Sequence, residues 1–216
     1  MTRLLLGTSS EKKIAELQEI FAGLPVTLVT PADVALDLDP EETGATFEEN
    51  ARLKARAFAR ASGLPALADD SGLEVDALGG EPGVYSRRYA GPDATDDDRI
   101  AYLLRKLDGV PAGRRAARFR CVMALATPDA DIGTVHGTCE GRIALERRGV
   151  NGFGYDPIFL LLEQDKTMAE LTSAHKHLVS HRGQAGAAAR AMIQRWLNAR
   201  TRDSAMPAVP SVPATR

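Results

Sequence analysis

Two pairs of adjacent carboxylates, Glu41-Glu42 and Asp69-Asp70, are the residues in this chain best suited to chemistry. The second pair is the sharper one, because the apolar run Pro65-Ala66-Leu67-Ala68 leads straight into Asp69-Asp70-Ser71-Gly72. Neighbouring carboxylates at the end of a strand repel each other unless a cation offsets them. An oxygen-only ligand set favours Mg²⁺. That ion can bridge carboxylates to phosphate oxygens, and a carboxylate held beside it can orient a water and take its proton. The chemistry implied is that of an enzyme acting on phosphates. Without a metal, Glu41-Glu42 reads as a solvated loop and Asp69-Asp70 as a turn or cap.

Three further groups carry polar or aromatic side chains at suggestive spacing. Lys12 and Lys13 follow the polar loop Thr8-Ser9-Ser10 and fall in the first turn of an expected helix. Cations there oppose the helix dipole, whereas the free N–H groups of that turn suit an anion, so a bound anion would reconcile the two. A solvated lysine pair is the simpler alternative, and the loop lacks the glycines of a Walker motif. Phe153 lies between Gly152 and Gly154, where the backbone can pass close to a ligand and the ring can stack on a flat base. A core aromatic beside a turn would look the same. Lys176, His177, His181 and Arg182 gather ahead of and at the start of the last helix. They could donate to base carbonyls or phosphate oxygens.

The elements that must position these groups follow from hydrophobic period and caps. Arg3 to Gly7 reads as a buried strand, Glu11 to Phe21 as a helix with Ile14, Leu17 and Phe21 on one face, and Val26 to Val29 as a second strand. Ala32 to Gly44 is an acidic loop. Thr46 and Glu49 form a capping box that opens a helix to about Ser62, stopped by Gly63 and Pro65. Leu64 to Ala68 is a short strand before the aspartates. Thr95 caps a helix carrying Ile100, Leu103, Leu104 and Leu107, and Asp96-Asp97-Asp98 in its first turn suit the dipole as structural residues. Arg118 to Thr127 and Ile132 to Glu140 read as a hairpin. A last helix runs from about Ser180 to Ala199. Residues 1–200 are taken as one domain, and 201–216, where Pro207, Pro210 and Pro213 recur, as a disordered, extended tail.

Composition removes several classes. The chain has 216 residues, 44% of them apolar and 26% charged, with a net charge of −2. Such a balance gives no global pull toward nucleic acid or an anionic membrane. No apolar stretch approaches membrane-spanning length, and Met1 to Leu6 turns polar too soon for a signal peptide, which points to the cytoplasm. The two cysteines, Cys121 and Cys139, flank a turn at Pro128 to Asp131. They read as buried thiols in a reducing compartment, without zinc-site spacing.

Read together, the motifs resemble the inosine triphosphate pyrophosphatase family, which removes deaminated purine nucleotides. The matching stretches are Glu41 to Ala51 with Leu53-Lys54-Ala55, then Ala68 to Leu73, Leu78-Gly79-Gly80, Pro82 to Ser86 and Arg88 to Gly91. They continue with Gly152 to Phe159, Ala169-Glu170-Leu171 and Ser180 to Gly183, in family order over roughly Leu4 to Leu197. The resemblance implies an elongated α/β fold of two lobes with a central mixed sheet flanked by helices, the substrate lying in the cleft between the lobes. It implies Mg²⁺-dependent hydrolysis of ITP, dITP and XTP to the monophosphate and pyrophosphate, by a homodimer. By position, Asp70 matches a catalytic base and metal ligand, Glu41 a metal ligand, and Asp69 a residue beside the metal. Thr8, Ser9, Ser10 and Lys13 match the phosphate loop, and Ser71 a substrate contact. Phe153 matches the ring that stacks on the base, with Gly154, Tyr155 and Asp156 completing its loop. Lys176, His181 and Arg182 match nucleotide contacts. Donors aimed at a 6-oxo group would leave adenine with unpaired partners.

Ser9 and Ser10 stand where the family has glycine and asparagine, and Lys12 where it has glycine. Around Lys176 the chain carries Ser173-Ala174-His175 and His177-Leu178-Val179 in place of the family's acidic and alanine-bearing context. Two other functions fit parts of the same pattern. One is a pyrophosphatase preferring pyrimidine triphosphates. The other is a nucleotide-binding regulator without catalysis.

Overall fold

The structure, a computed structural model, describes residues 1–205. A seven-stranded mixed sheet forms the centre. Its strands are β1 (Thr2–Leu6), β2 (Val26–Val29), β3 (Ala66–Val75), β4 (Ala116–Ala126), β5 (Asp131–Ile143), β6 (Phe159–Leu161) and β7 (Lys166–Thr167). They lie in the order β2-β1-β3-β4-β5-β6-β7. The β2-β1-β3 portion is parallel, and every pairing from β3 to β7 is antiparallel. The helices are α1 (Glu11–Phe21), α2 (Phe47–Ser62), α3 (Asp96–Lys106), α4 (Ser173–Val179) and α5 (His181–Ala205). The mixed sheet flanked by helices matches the expected α/β class.

Local chemistry accounts for the helix starts. Ser10 caps α1 by accepting from Lys13 N, and the Thr46–Glu49 capping box opens α2 as the sequence pattern requires. Thr95 and Asp98 form a second box ahead of α3. The terminal helix continues to Ala205, past the expected end near Ala199. The tail read as disordered and extended, 201–216, is thereby corrected over 201–205, which are helical; the rest of it, 206–216, lies outside the described residues.

Packing divides into three cores. On one sheet face, Leu17 and Phe21 of α1 and Ala185, Ala189, Met192, Ile193 and Trp196 of α5 cover Leu4, Leu6, Leu67, Cys121 and Met123. On the other face, Phe47, Ala51, Ala55 and Phe58 of α2 cover Leu5, Ala66, Ala68, Val122 and Ala124. The third core joins the far end of β3, Leu73 and Val75, to Ile100 and Leu103 of α3 and to Phe159, Met168 and Leu171. The first two cores make one lobe and the third makes the other. Both cysteines are free and buried, as expected. Among the described residues no helix is long and apolar enough to cross a membrane.

The strand carrying the aspartates is longer than its apolar run suggests. Asp69 and Asp70 sit inside β3, opposite Met123 and Val122 of β4, not in a loop after it. Successive strand residues face opposite sides of a sheet. Asp69 therefore shares the α1/α5 side with Leu67, and Asp70 shares the α2 side with Ala68. The sequence-based premise that the two carboxylates confront each other is corrected: the pleat separates them. Meanwhile β1 pairs with β3 at Leu5 and Leu6 and turns away at Gly7, whose N–H donates to Leu67 O at 2.7 Å. Next to β3 at its far end lies the 3-10 segment Gly83–Arg88, with Ser86 Oγ accepting from Leu73 N at 2.9 Å. A cavity opens between these two flanks.

The start of α5 rests directly on β5. A Cβ at Gly137 would lie 2.1 Å from His181 O and 2.5 Å from Ala185 N, so this position admits no side chain without displacing the helix. Gly137→Ala is expected to lower stability by about 1–3 kcal/mol, the usual result of overfilling a packed contact. Chemical denaturation checks this, and an unchanged midpoint would show that α5 does not bear on β5 here.

Candidate active site

A cavity of about 410 Å³ is lined by the Gly7–Ser10 loop, Lys12 and Lys13, by Glu42, Lys54, Asp70 and Ser71, and by Phe153–Asp156 with Lys176, His181 and Arg182. Residues from distant parts of the chain thus meet where the two lobes face each other. Of the residues expected at a site, Thr8, Ser9, Ser10, Lys13, Asp70, Ser71, Phe153, Gly154, Tyr155, Asp156, Lys176, His181 and Arg182 all line it. Asp69 lies just behind the wall, bonded to Lys13 and Arg182, which do line it. Glu41 is exposed and is not among the lining residues. The carboxylate that reaches Asp70's neighbourhood is Glu42, so the expected pairing of Glu41 with Asp70 is corrected to Glu42.

The two aspartates live in opposite electrostatic settings. Asp69 is fully buried. Burial alone would raise its pKa, but Lys13 Nζ at 3.0 Å and Arg182 Nη2 at 3.3 Å, with Lys54 farther off, hold it far below the usual carboxylate range. Asp70 accepts from Lys54 Nζ at 3.0 Å and from Asn50 Nδ2 at 3.2 Å. There burial prevails over Lys54, and nearby Glu42 adds like-charge repulsion, so the Asp70 carboxyl is pushed up. Neighbouring carboxylates driven in opposite directions are a signature of divided acid–base roles. Asp70, open to the cavity, is the member suited to take a proton.

Lys54 Nζ also reaches Glu42 Oε1 at 2.7 Å, which holds the two cavity carboxylates on one ammonium. Arg88 Nη1 approaches the other Glu42 oxygen at 3.4 Å. Among the described residues no three His, Cys, Asp or Glu side chains cluster as a ready-made metal cage. Mg²⁺ does not require one: it commonly takes one or two protein carboxylates and completes its shell with water and substrate phosphate. Glu42 and Asp70 are the two cavity carboxylates placed to serve such an ion. Asn50 and Lys54 were absent from the candidate residues. Their signal was present, since both sit one turn apart on the face of α2 that otherwise carries Ala51, Ala55 and Phe58.

The two lysines of α1 diverge. Lys13 is tied to buried Asp69, and Lys12 spans to Asp96 of α3 at 3.0 Å. Asp96, read from the sequence as purely structural, also pairs with Arg99, accepts a backbone hydrogen bond from Gly154 and lines the cavity. Asp98 does the capping instead.

Phe153 is half-buried with cations around it: Lys176 Nζ lies 4.8 Å, Arg182 Cζ 5.4 Å and Lys12 Nζ 5.8 Å from the ring centroid. Its loop is shaped by Gly152 (φ +74°), where a Cβ would meet Asp156 Oδ2 at 2.1 Å. Asp156 Oδ2 accepts from Phe153 N at 2.9 Å and Lys176 Nζ at 2.7 Å. Tyr155 is anchored by its hydroxyl, which donates to Ser86 O at 3.0 Å. His181 stacks on Phe119 at 4.6 Å. Burial, then Arg182 and Lys176, keep its pKa well below 6.5, so the imidazole is neutral. His177 instead faces Glu19 at 2.7 Å. Two buried atoms, His181 Nδ1 and Arg182 Nε, have no hydrogen-bond partner among the described residues. Polar atoms left so in a cavity wall are apt to pair with a ligand.

Residues 4–192 match the Ham1 family. The chain belongs to the Ham1 family. It is 52% identical over 187 residues to a dITP/XTP pyrophosphatase of Methylococcus capsulatus, covering 86% of this chain and 92% of that protein. It is 46% identical over 185 residues to a dITP/XTP pyrophosphatase of Bacillus subtilis, covering 86% and 93%. A solved HAM1 protein of Coxiella burnetii superposes with a TM-score of 0.82 at 44% identity, over 90% of this chain and 100% of that one. The Ham1 match spans both lobes, and so the whole cavity wall.

Asp69 is expected to serve the stability of the fold through its two cations. Asp69→Asn leaves buried Arg182 and Lys13 short of a charge partner and should destabilise by about 3 kcal/mol near neutral pH. Because the folded-state pKa lies below the ordinary 3.8, the carboxylate's contribution is full above 3.8 and shrinks as pH falls below it. Denaturation at about pH 7 and about pH 3 should show the gap between parent and variant narrowing. A constant gap would contradict the pairing.

Proposed function

We propose that the protein hydrolyses deaminated purine nucleoside triphosphates (dITP, ITP and XTP) to the monophosphate and pyrophosphate. The observation that carries this reading is Asp70: a cavity-facing carboxyl pushed up by burial, sharing Lys54 with Glu42. The two dITP/XTP pyrophosphatase relatives support the substrate class.

The triphosphate is taken by the Thr8–Lys13 stretch, where the first-turn N–H groups of α1 and the Lys13 ammonium face the cavity. The base lies on Phe153, and the unpaired Arg182 Nε–H, together with His181 Nδ1 in the tautomer that carries its proton there, meets its carbonyl oxygens. Adenine has no 6-oxo acceptor, so binding it would bury those donors unpaired, a penalty of about 1–3 kcal/mol each. Glu42 and Asp70 are the proposed ligands of Mg²⁺, which when bound supplies Lewis-acid stabilisation of the phosphate charge. Asp70 orients a water toward the α phosphorus and accepts its proton, a task for which its raised pKa suits it better than Asp69. Lys54 holds Asp70 and Glu42 in register and supplies positive charge beside the phosphates. A cytoplasmic homodimer is the proposed setting, following the resemblance of the motifs.

Pyrophosphate release from dITP and XTP tests the reading. Asp70→Asn should reduce the rate by about 10²–10⁴-fold with the melting temperature preserved, and EDTA should stop the parent enzyme until Mg²⁺ is restored. Release at the parent rate by the variant would refute the role of Asp70.

A further inference from the structure

Glu16 is a partly buried carboxylate to which the reaction above assigns no task. It lies on α1 three residues after Lys13, on the same face. Its two oxygens are divided between two cations from the far end of the chain. Oε1 accepts from Lys176 Nζ at 2.6 Å, and Oε2 accepts from Arg182 Nη1 at 2.8 Å. Burial acts to raise its pKa, but Arg182 and Lys176 outweigh burial and hold it below the usual 4.5. The group is therefore ionised when the site works.

The two cations it holds flank the ring of Phe153. Each has a further anchor. Lys176 reaches Asp156, and Arg182 Nη2 reaches Ser71 Oγ at 2.9 Å and Asp69 Oδ2 at 3.3 Å. With Nη2 on β3 and Nη1 on Glu16, the guanidinium plane is fixed at both ends, and Nε is left unpaired in the wall of the cavity. A planar donor fork discriminates an acceptor only when its orientation is fixed. Asp69 and Ser71 alone hold one end and leave the plane free to rotate. Glu16 is also on the helix whose first turn carries Lys13, so a single rigid element connects the phosphate end to the base end.

We infer that Glu16 is a positioning residue for base selectivity: it locks Arg182 and Lys176 in the orientation that accepts a 6-oxo purine and rejects a 6-amino one. This rests on the function proposed above. Loss of the lock relaxes the choice of base more than it slows the phosphate chemistry.

The test compares kcat/KM for dITP with that for dATP, measured by pyrophosphate release from the full chain. Glu16→Gln keeps the side-chain shape but turns one acceptor into a donor facing a cation. The dITP/dATP ratio should fall by about tenfold or more. Glu16→Asp keeps the charge with a shorter reach and should give an intermediate ratio, which carries the test if the Gln variant does not fold. A merely structural role would depress both substrates equally, and an unchanged ratio in the folded variant overturns the inference. A parent enzyme that does not prefer dITP would instead overturn the proposed function, and this role with it.

Discussion

A buried carboxylate must be matched by positive charge or remain protonated, and β3 carries two such groups in succession. The pleat of the strand settles how both are accommodated. Asp69 is directed to the α1/α5 side, where Lys13 and Arg182 neutralise it fully. Asp70 is directed to the α2 side, where Lys54 is shared with Glu42 and the compensation is incomplete. One residue along the strand therefore separates a fully paired anion from the carboxyl proposed to react. Nearly every other polar residue of the cavity can be traced to this division.

On the Asp69 side the charges form a chain of alternating sign. Lys13 and Glu16 belong to α1, Arg182 to α5 and Asp69 to β3; Lys13 pairs with Asp69, Asp69 with Arg182 and Arg182 with Glu16, so the series leaves α1 and returns to it. Burying one member alone would be unfavourable, but alternating signs let them pack together at and behind the cavity wall. These pairs tie α1, whose N-terminus is proposed to take phosphate, to α5, which begins with His181-Arg182. On the Asp70 side, α2 contributes Asn50 and Lys54 from within its packed face, so the groups around the reactive carboxyl are as rigid as the core beside them.

Much of this was legible in the sequence where local rules decide. Thr46 and Thr95 marked helix starts because capping is a short-range interaction. Asp69-Asp70, Phe153 and Lys176 to Arg182 were recognisable by residue type and by family motifs. What failed depended on tertiary context. The β3 strand continued through two acidic residues because β4 pairs along its whole length and cations lie on both faces, neither of which its own composition reveals. Glu42 and Glu41 are adjacent and chemically alike, so only the path of an irregular loop selects the one that faces Lys54. Glu16 was invisible for a similar reason: a carboxylate on an amphipathic helix looks solvated until α4 and α5 fold over it.

The opposed titration of the two aspartates tests the account most directly. Carboxyl-carbon NMR of the parent protein, with each signal assigned through its Asn variant, should show Asp70 protonating above the ordinary 3.8 while Asp69 stays ionised to well below it. Coincident titration of the two, or the reverse order, would contradict the division of labour on which both the proposed chemistry and the architecture around it depend.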